Sequence, residues 1–307
     1  MVETVICTLF EGHFHCGLAA LANSLYASGY RGTICAGYRG ALPPWATPLQ
    51  KVNGSLTFHI SEDFRIRFLP VPGDRHLTNC KPHFMLQILG QLETTAGRIV
   101  YFDPDVTVQF PWSFFEDWMS DSVALCEDVN SPMPDNHPKR NGWRRFFQSR
   151  GIQFRNQSSI YINGGFVGLP RALSGFLQLW SAIIEMIAES GLDLSSMGTS
   201  SDYRFWFYDQ DALNVAVMAT DCPMSFAGKE GMGFLVTHAT MLHATGVGKP
   251  WNTSILRNFL DGKPFTQAHR EYWRHVESPI PLFSSSYARR RRTLLGIAAL
   301  GGRFYRR

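Results

Sequence analysis

The sequence predicts an α/β protein built on a mostly parallel sheet flanked by helices, and three observations carry that expectation. Residues 4–9 are a β-rich run, residues 16–28 place Leu18, Leu21, Ala22 and Leu25 on one helical face, and residues 33–37 are β-rich again. Strand, helix and strand with short joints make a βαβ unit, which implies parallel pairing and a right-handed crossover. Ile99 to Phe102 form an apolar run of buried-strand type, and Pro104 ends it because proline cannot continue a central ladder. Residues 172–189 carry Leu173, Phe176, Leu177, Trp180, Ile183, Ile184 and Ile187 as one continuous stripe ended by Gly191, a core-packing helix.

The remaining elements follow in order. Gly29 is placed to stop the first helix. Residues 38–63 are rich in Gly and Pro and read as loop, and residues 65–71 as a strand in which Arg65 and Arg67 alternate with Ile66 and Phe68. Residues 81–92 predict a helix with Phe84, Met85, Ile88, Leu89 and Leu92 inward and Pro82 in its first turn. Lys81 then stands at a helix start, where a cation is unfavourable unless an anion is near; a solvated lysine is the alternative. Residues 112–118 are aromatic and expected beside Asp103 and Asp105, and 123–126 are a short strand. Residues 130–155, with Lys139, Arg140, Trp143, Arg144 and Arg145, have weak periodicity; a solvated charged surface and an acceptor-facing flap are the two readings. Two short β-pieces flank Asn163-Gly164-Gly165. Asp209 opens a helix through Ala219, where capping alone would account for it. Residues 266–276 predict a helix marked by His269, Tyr272, Trp273 and Val276.

The chemistry concentrates at a few places. Asp103 and Asp105 follow a strand directly, and in open α/β sheets ligands bind beyond the carboxyl ends of strands. Two carboxylates so close repel unless a cation lies between them, and hard oxygen donors suit Mg²⁺ or Mn²⁺ shared with substrate phosphates. A turn with two solvated acids is the bland alternative. Residues 243–251 combine His243, Gly246, Gly248, Lys249 and Trp251; a glycine-rich loop with a lysine can cradle phosphates, although the P-loop spacing is absent. His13, His15 and Cys16 match no standard metal spacing and read as polar loop residues or a nucleotide contact.

Taken in order, Asp103-Pro-Asp105, Asn163-Gly164-Gly165, Asp209-Gln210-Asp211 with Leu213-Asn214, and His243-x-x-Gly246-x-x-Lys249-Pro250-Trp251 resemble the GT-A glycosyltransferases. The resemblance is closest to the retaining family 8 enzymes, which include glycogenin-like and bacterial lipopolysaccharide galactosyl- and glucosyltransferases, and it runs from Thr4 to Trp251. It implies a GT-A, Rossmann-like fold over residues 1–262 and a nucleotide-diphosphate sugar donor, usually UDP-linked. It also implies a Mn²⁺ (or Mg²⁺) ion held by Asp103, Asp105 and His243. Donor contacts are implied at Thr8, Lys81, Asp103, Gly164, Gly246 and Lys249, and catalytic roles for Asp209, Gln210 and Asn163 in hexose transfer with retention to a glycan or lipid-linked saccharide acceptor. The chain departs from the family where Lys81 stands for an arginine and Phe10-Glu11-Gly12-His13 for the usual acidic and amide residues.

Two rivals remain from the residues. Asp103-x-Asp105-x-Thr107 after a strand also resembles the haloacid-dehalogenase phosphatase motif, with Asp103 as nucleophile, and a non-catalytic sugar-nucleotide-binding protein is the other. Bulk properties restrict the classes further. Net charge is +4, yet seven arginines fall in the last 19 residues, and without them the balance is −3; such a body argues against nucleic acid as partner. The six scattered cysteines, without C-x-x-C, suit buried free thiols in a reducing compartment. No apolar segment is expected to span a membrane, and no leader is apparent. Residues 263–307 are expected to be a C-terminal helix and a basic amphipathic tail. Arg289–Arg292 and Arg303, Arg306 and Arg307 flank a short apolar stretch suited to an anionic membrane surface, from which a cytoplasmic protein peripheral on the inner face of the membrane is expected; a disordered solvated tail is the alternative.

Overall fold

A computed structural model describes residues 3–305 except 53, 236, 237, 247 and 262–264, and excepting the side chains of 260 and 299–305. The expected tail residues Arg306 and Arg307, and the expected boundary at 262, lie outside the described residues. The elements are β1 (Thr4–Glu11), α1 (His15–Ala27), β2 (Gly32–Arg39), β3 (Gln50–Val52), β4 (Ser55–His59), β5 (Phe64–Pro70), α2 (Lys81–Gln87), β6 (Arg98–Phe102), β7 (Val106–Val108), α3 (Trp112–Trp118) and β8 (Val123–Glu127). They continue as α4 (Pro138–Gln148), β9 (Ile162–Pro170), α5 (Gly175–Glu189), α6 (Tyr208–Ala219), β10 (Met224–Ala227), β11 (Met241–His243), α7 (Ile255–Leu260), α8 (Gln267–Tyr272) and α9 (Ser285–Tyr305).

Nine strands form one sheet in the order β10-β8-β9-β6-β1-β2-β5-β4-β3. The pairs β1–β2, β1–β6, β2–β5 and β8–β10 are parallel, and β9 runs antiparallel between β6 and β8. The expected mostly parallel α/β sheet is therefore present, with α1 making the expected crossover between β1 and β2. Side chains alternate across each strand. Val5, Cys7, Ile99 and Tyr101 face α2, α5 and α6, and Ile6, Phe10, Val100 and Phe102 face α1 and α3. Burying both faces explains why these strands read as continuous apolar runs.

Several local expectations change. The stretch expected as loop contains the hairpin β3–β4, turned at Gly54 with φ +80°; its edge strand Gln50-Lys51-Val52 is too polar to announce itself. Residues 162–170 are one strand running straight through Gly164 and Gly165, not two. Within residues 130–155, for which a solvated charged surface and a flap are the two readings, residues 138–148 are a packed helix, α4, in which Trp143 and Phe147 are fully buried. The aromatic segment 112–118 is α3, and it packs behind Asp103 and Asp105, with Phe115 6.1 Å from Phe102 and Trp118 5.1 Å from Phe166 between ring centroids. Residues 171–189 are long and apolar enough to cross a membrane by length and composition, contrary to expectation. Phe176, Leu177, Trp180, Ile183, Ile184 and Ile187, however, are fully buried in the core between the sheet, α2 and α6.

The C-terminal segment closes over α1. Tyr272, Trp273, Val276, Ala288 and Leu295 bury against Ala20 and Ile255. Asn23 of α1 fixes this layer with three hydrogen bonds: its amide donates to His275 O (2.7 Å) and Ile280 O (2.9 Å), and its carbonyl accepts from Ile280 N (2.8 Å).

Two basic residues of α4, Lys139 and Arg140, are interior, whereas Arg145 is exposed. Lys139 Nζ lies 2.7 Å from the Asp211 carboxylate, and both are almost wholly buried. Tyr161 donates to the same carboxylate at 2.6 Å. Burial pushes the Asp211 carboxyl up to about 6 and the Lys139 amine down, so each depends on the other to stay charged. Removing one partner of such a pair strands the other charge at ~3–5 kcal/mol, whereas replacing both by apolar groups is close to neutral. In urea unfolding, Lys139→Met should therefore lose stability on that scale and Lys139→Met/Asp211→Leu should regain most of it; equal losses would show that packing, not charge, matters here.

Candidate metal and donor site

The site begins where β6 ends. After Phe102 the chain turns at Pro104, with Asp103 N donating to Gly165 O (2.8 Å) and Val106 N to Asp103 O (3.1 Å). The chain then enters β7, which pairs antiparallel with β11 outside the main sheet. The register sets Val106 opposite His243, and Ala244 N donates to Asp105 O at 3.0 Å. This two-stranded ribbon is what carries His243, about 140 residues downstream, to the acid pair. His243 Nε2 lies 3.3 Å from Asp105 Oδ1 and 3.7 Å from Asp103 Oδ2.

Backbone approach makes this possible. A Cβ on Gly165 would lie 2.6 Å from the His243 ring and 2.9 Å from Asn163 Oδ1. A Cβ on Gly17, in the first turn of α1, would collide with the Pro104 carbonyl and come within 2.8 Å of Trp251. Only glycine admits contacts this close at both places.

Lys81 is not solvated. Its amine is almost fully buried, 2.8 Å from Asp209 Oδ2 and 3.1 Å from Asp103 Oδ1, and it donates to Gly164 O at 2.9 Å. Burial alone would lower its pKa, but Asp103 and Asp209 outweigh burial and hold it above the ordinary lysine range. Asp209 is in turn pushed up, first by burial. Asp209 thus spends its carboxylate on Lys81; the residue that caps α6 is Asp211, which accepts from Phe207 N at 3.1 Å. Lys249 Nζ sits 2.5 Å from Asp105 Oδ2 and donates to Ala244 O at 2.8 Å. Burial would raise the Asp105 pKa, but His243 and Lys249 together hold it well below the carboxylate range.

The other expected positions fall around this centre. Gln210 Oε1 accepts from Gly164 N (2.9 Å), and the Asn163 amide is engaged at both ends, accepting from Gly165 N (2.8 Å) and donating to Asp128 Oδ2 (2.6 Å). Asn163 therefore shapes the strand beside the site. Gly246 is exposed in the left-handed region (φ +88°) in the loop that carries Lys249. Thr8 is fully buried in β1, by alternation on the Ile6 and Phe10 face, with its hydroxyl unpartnered.

The residues present fit a divalent ion. Two carboxylates and one imidazole offer ligand atoms within 4.8 Å of one another, and His243 Nδ1 is buried without a hydrogen-bond partner. Among the described residues this is the only group of three His, Cys, Asp or Glu side chains so arranged, and His13, His15 and Cys16 form none. Oxygen donors with one imidazole suit Mn²⁺. Sequence reasoning missed Tyr101, which donates to Asp103 Oδ1 at 3.0 Å, and Asp128; Tyr101 reads only as an apolar strand residue, and Asp128 gains meaning only when β9 lies beside β8.

No family model matches the chain, and no curated protein sequence matches it. Among solved structures, the apo form of the WbbM bifunctional glycosyltransferase shares the fold, with a TM-score of 0.55 over 95% of this chain at 14% sequence identity. The chain spans about half of that protein, 52% of its length. The expected Rossmann-like α/β arrangement is thus a fold that a solved glycosyltransferase also has.

Gly165→Ala should displace His243 and leave the distant core alone. Mn²⁺ titration followed by electron paramagnetic resonance should show at least tenfold weaker binding with unchanged circular dichroism; full-strength binding would mean that His243 is not a ligand.

Proposed function

We propose that this chain is a metal-dependent glycosyltransferase that moves a hexose from a nucleotide-diphosphate sugar, UDP-linked, to a glycan or lipid-linked saccharide acceptor with retention at the anomeric carbon. One observation carries the reading. The Asp103, Asp105 and His243 donors converge at the carboxyl end of a central strand, on a fold shared with a solved glycosyltransferase. Retention and membership in family 8 rest on the order of the four motifs.

Asp103, Asp105 and His243 would hold the ion, which when bound supplies Lewis-acid stabilisation of charge on a departing diphosphate. The chain's own residues supply the rest. Three carboxylates, those of Asp103, Asp105 and Asp209, face two lysines, Lys81 and Lys249. Lys81 is locked in place, whereas Lys249 lies on a loop with exposed glycines and is the cation able to turn to a phosphate. Backbone N–H groups near Gly246 and Gly248 would add preorganised positive potential. Asp209 and Gln210, at the first turn of α6 and against Gly164, would orient the hexose. Front-face attack by an acceptor hydroxyl accounts for retention without a covalent intermediate.

For the acceptor side we propose a membrane surface. α9 turns Ala288, Leu295 and Ala298 inward and leaves Tyr287, Leu294 and Ile297 outward, beside exposed Arg289 and Arg290. Arg291 and Arg292 are tied to the protein, so the docking charge is smaller than the arginine count suggests. This reading places the protein in the cytoplasm, peripheral on the inner leaflet.

Thermal-shift titration with UDP, GDP, CDP and dTDP, each with and without Mn²⁺, tests the donor site. UDP with Mn²⁺ at about 100 Kd should add ~2.7 kcal/mol, and Asp105→Ala and His243→Ala should abolish the shift. No shift with any nucleotide, together with phosphate release from an aryl phosphate, would favour the phosphatase rival. An inverted first product by NMR would remove the retaining assignment. For the membrane, Arg289→Glu/Arg290→Glu should weaken binding to anionic liposomes by more than tenfold, since each arginine near the surface contributes ~1 kcal/mol; unchanged binding would exclude α9 as the docking face.

A further inference from the structure

We infer that Arg291, on the C-terminal helix, is a positioning residue for Lys249, which makes α9 part of the donor-phosphate machinery. The inference rests on the proposed donor site and deepens it.

A chain of contacts runs from α9 to the acid pair. Arg291 Nη2 donates to Thr253 O at 2.8 Å. The hydroxyl of Thr253, a buried residue, donates to Lys249 O at 2.7 Å. Lys249 Nζ ends on Asp105 Oδ2 and Ala244 O. Arg291 is itself held from above, its guanidinium lying 4.7 Å from the centroid of the buried Trp273 ring. The arginine of a purely surface-binding helix would turn outward; this one is half-buried and aimed at the stem of the Lys249 loop.

α8 grips the same loop. His269 Nε2 lies 2.8 Å from Gly248 O, and its Nδ1 lies 2.7 Å from Thr266 Oγ1. A carbonyl can only accept, so Nε2 carries the proton and Nδ1 accepts from the threonine hydroxyl. Burial lowers the His269 pKa, which favours this neutral form at physiological pH.

The need for an outside grip follows from the loop itself. Thr245, Gly246 and Gly248 are exposed, and Gly246 is left-handed. At its head, the loop is held through the Lys249 amine on Asp105. Once that amine turns to a phosphate, the head is released. The stem bonds from Thr253, His269 and Arg291 then keep the lysine within reach, which lowers the ordering cost of donor binding. Arg291 is therefore expected to affect diphosphate affinity while leaving the metal ligands alone.

The test compares wild type, Arg291→Ala, Arg291→Lys and Thr253→Val in the full chain. The readouts are amide hydrogen exchange across residues 248–253 without ligand, Mn²⁺ affinity, and UDP affinity with Mn²⁺ present. Arg291→Ala should speed exchange in that segment at least tenfold and weaken UDP about tenfold, with Mn²⁺ affinity unchanged; Arg291→Lys, which can still donate to Thr253 O, should recover part of both. Thr253→Val leaves the Arg291 bond to Thr253 O in place and removes the next bond of the relay, from the Thr253 hydroxyl to Lys249 O, so it tests the relay should Arg291→Ala fail to fold. Unchanged exchange in Arg291→Ala or Thr253→Val overturns the inference, as does unchanged UDP affinity. Wild type that binds no UDP removes the proposed donor site instead, and exchange alone then judges the link from α9 to the loop.

Discussion

The structure depends most on one buried ammonium group. Lys81 touches the carboxylates of Asp103 and Asp209 and the carbonyl of Gly164, and so ties α2 to the end of β6, the start of β9 and the first turn of α6. Two carboxylates some 5 Å apart repel by about 3–4 kcal/mol at an effective dielectric of 20. Three in one cleft could not stay ionised without compensation. Lys81 compensates from the buried side, and Asp103 and Asp105 are left facing His243 in a group that could hold a divalent ion. Three oxygens from three different elements meet the three donors of one ammonium.

That arrangement explains what could and could not be read in the chain beforehand. The βαβ opening, the Asp103-Pro-Asp105 turn and the α5 stripe are local patterns, set by periodicity and by where proline stops a ladder, and they appear where expected. The misreadings around the site are non-local. Lys139 and Arg140 look like surface charge until Asp211 and the carbonyls of Met133 and Ile160 are brought beside them by β9 and α6. Gly164 and Gly165 look like a break in a strand; they belong to a continuous one because its neighbours on both sides are already paired and a side chain there would strike His243. Lys81 looked equally good as a solvated residue, because neither Asp103 nor Asp209 is near it in sequence.

His243 sits between these cases. No local pattern marks it as a ligand; only its place in an ordered set of motifs did. The structural cause is the β7–β11 ribbon, two three-residue strands whose register alone sets the histidine against Val106. Strands so short are weakly specified by their own pairing. What fixes the register is packing: Val106, Val108 and Met241 share one buried apolar cluster, and a shift of β11 by one residue would turn Met241 to the other face. The metal ligands are thus aligned by an apolar constraint one residue away from the polar site.

The C-terminal layer follows the same logic from the outside. α9 was expected as a basic tail with membrane affinity, and its sequence supports a second use because consecutive residues on a helix point about 100° apart. Arg289 and Arg290 lie on the solvent side, while Arg291 and Arg292 reach Thr253, Trp273 O and Glu277. One run of four arginines therefore faces both solvent and the protein, and the helix cannot be removed to test the proposed outer role without also disturbing the inner contacts. A deletion of this segment that lost both membrane binding and nucleotide affinity would not separate the two roles, whereas substitutions confined to one face of the helix do.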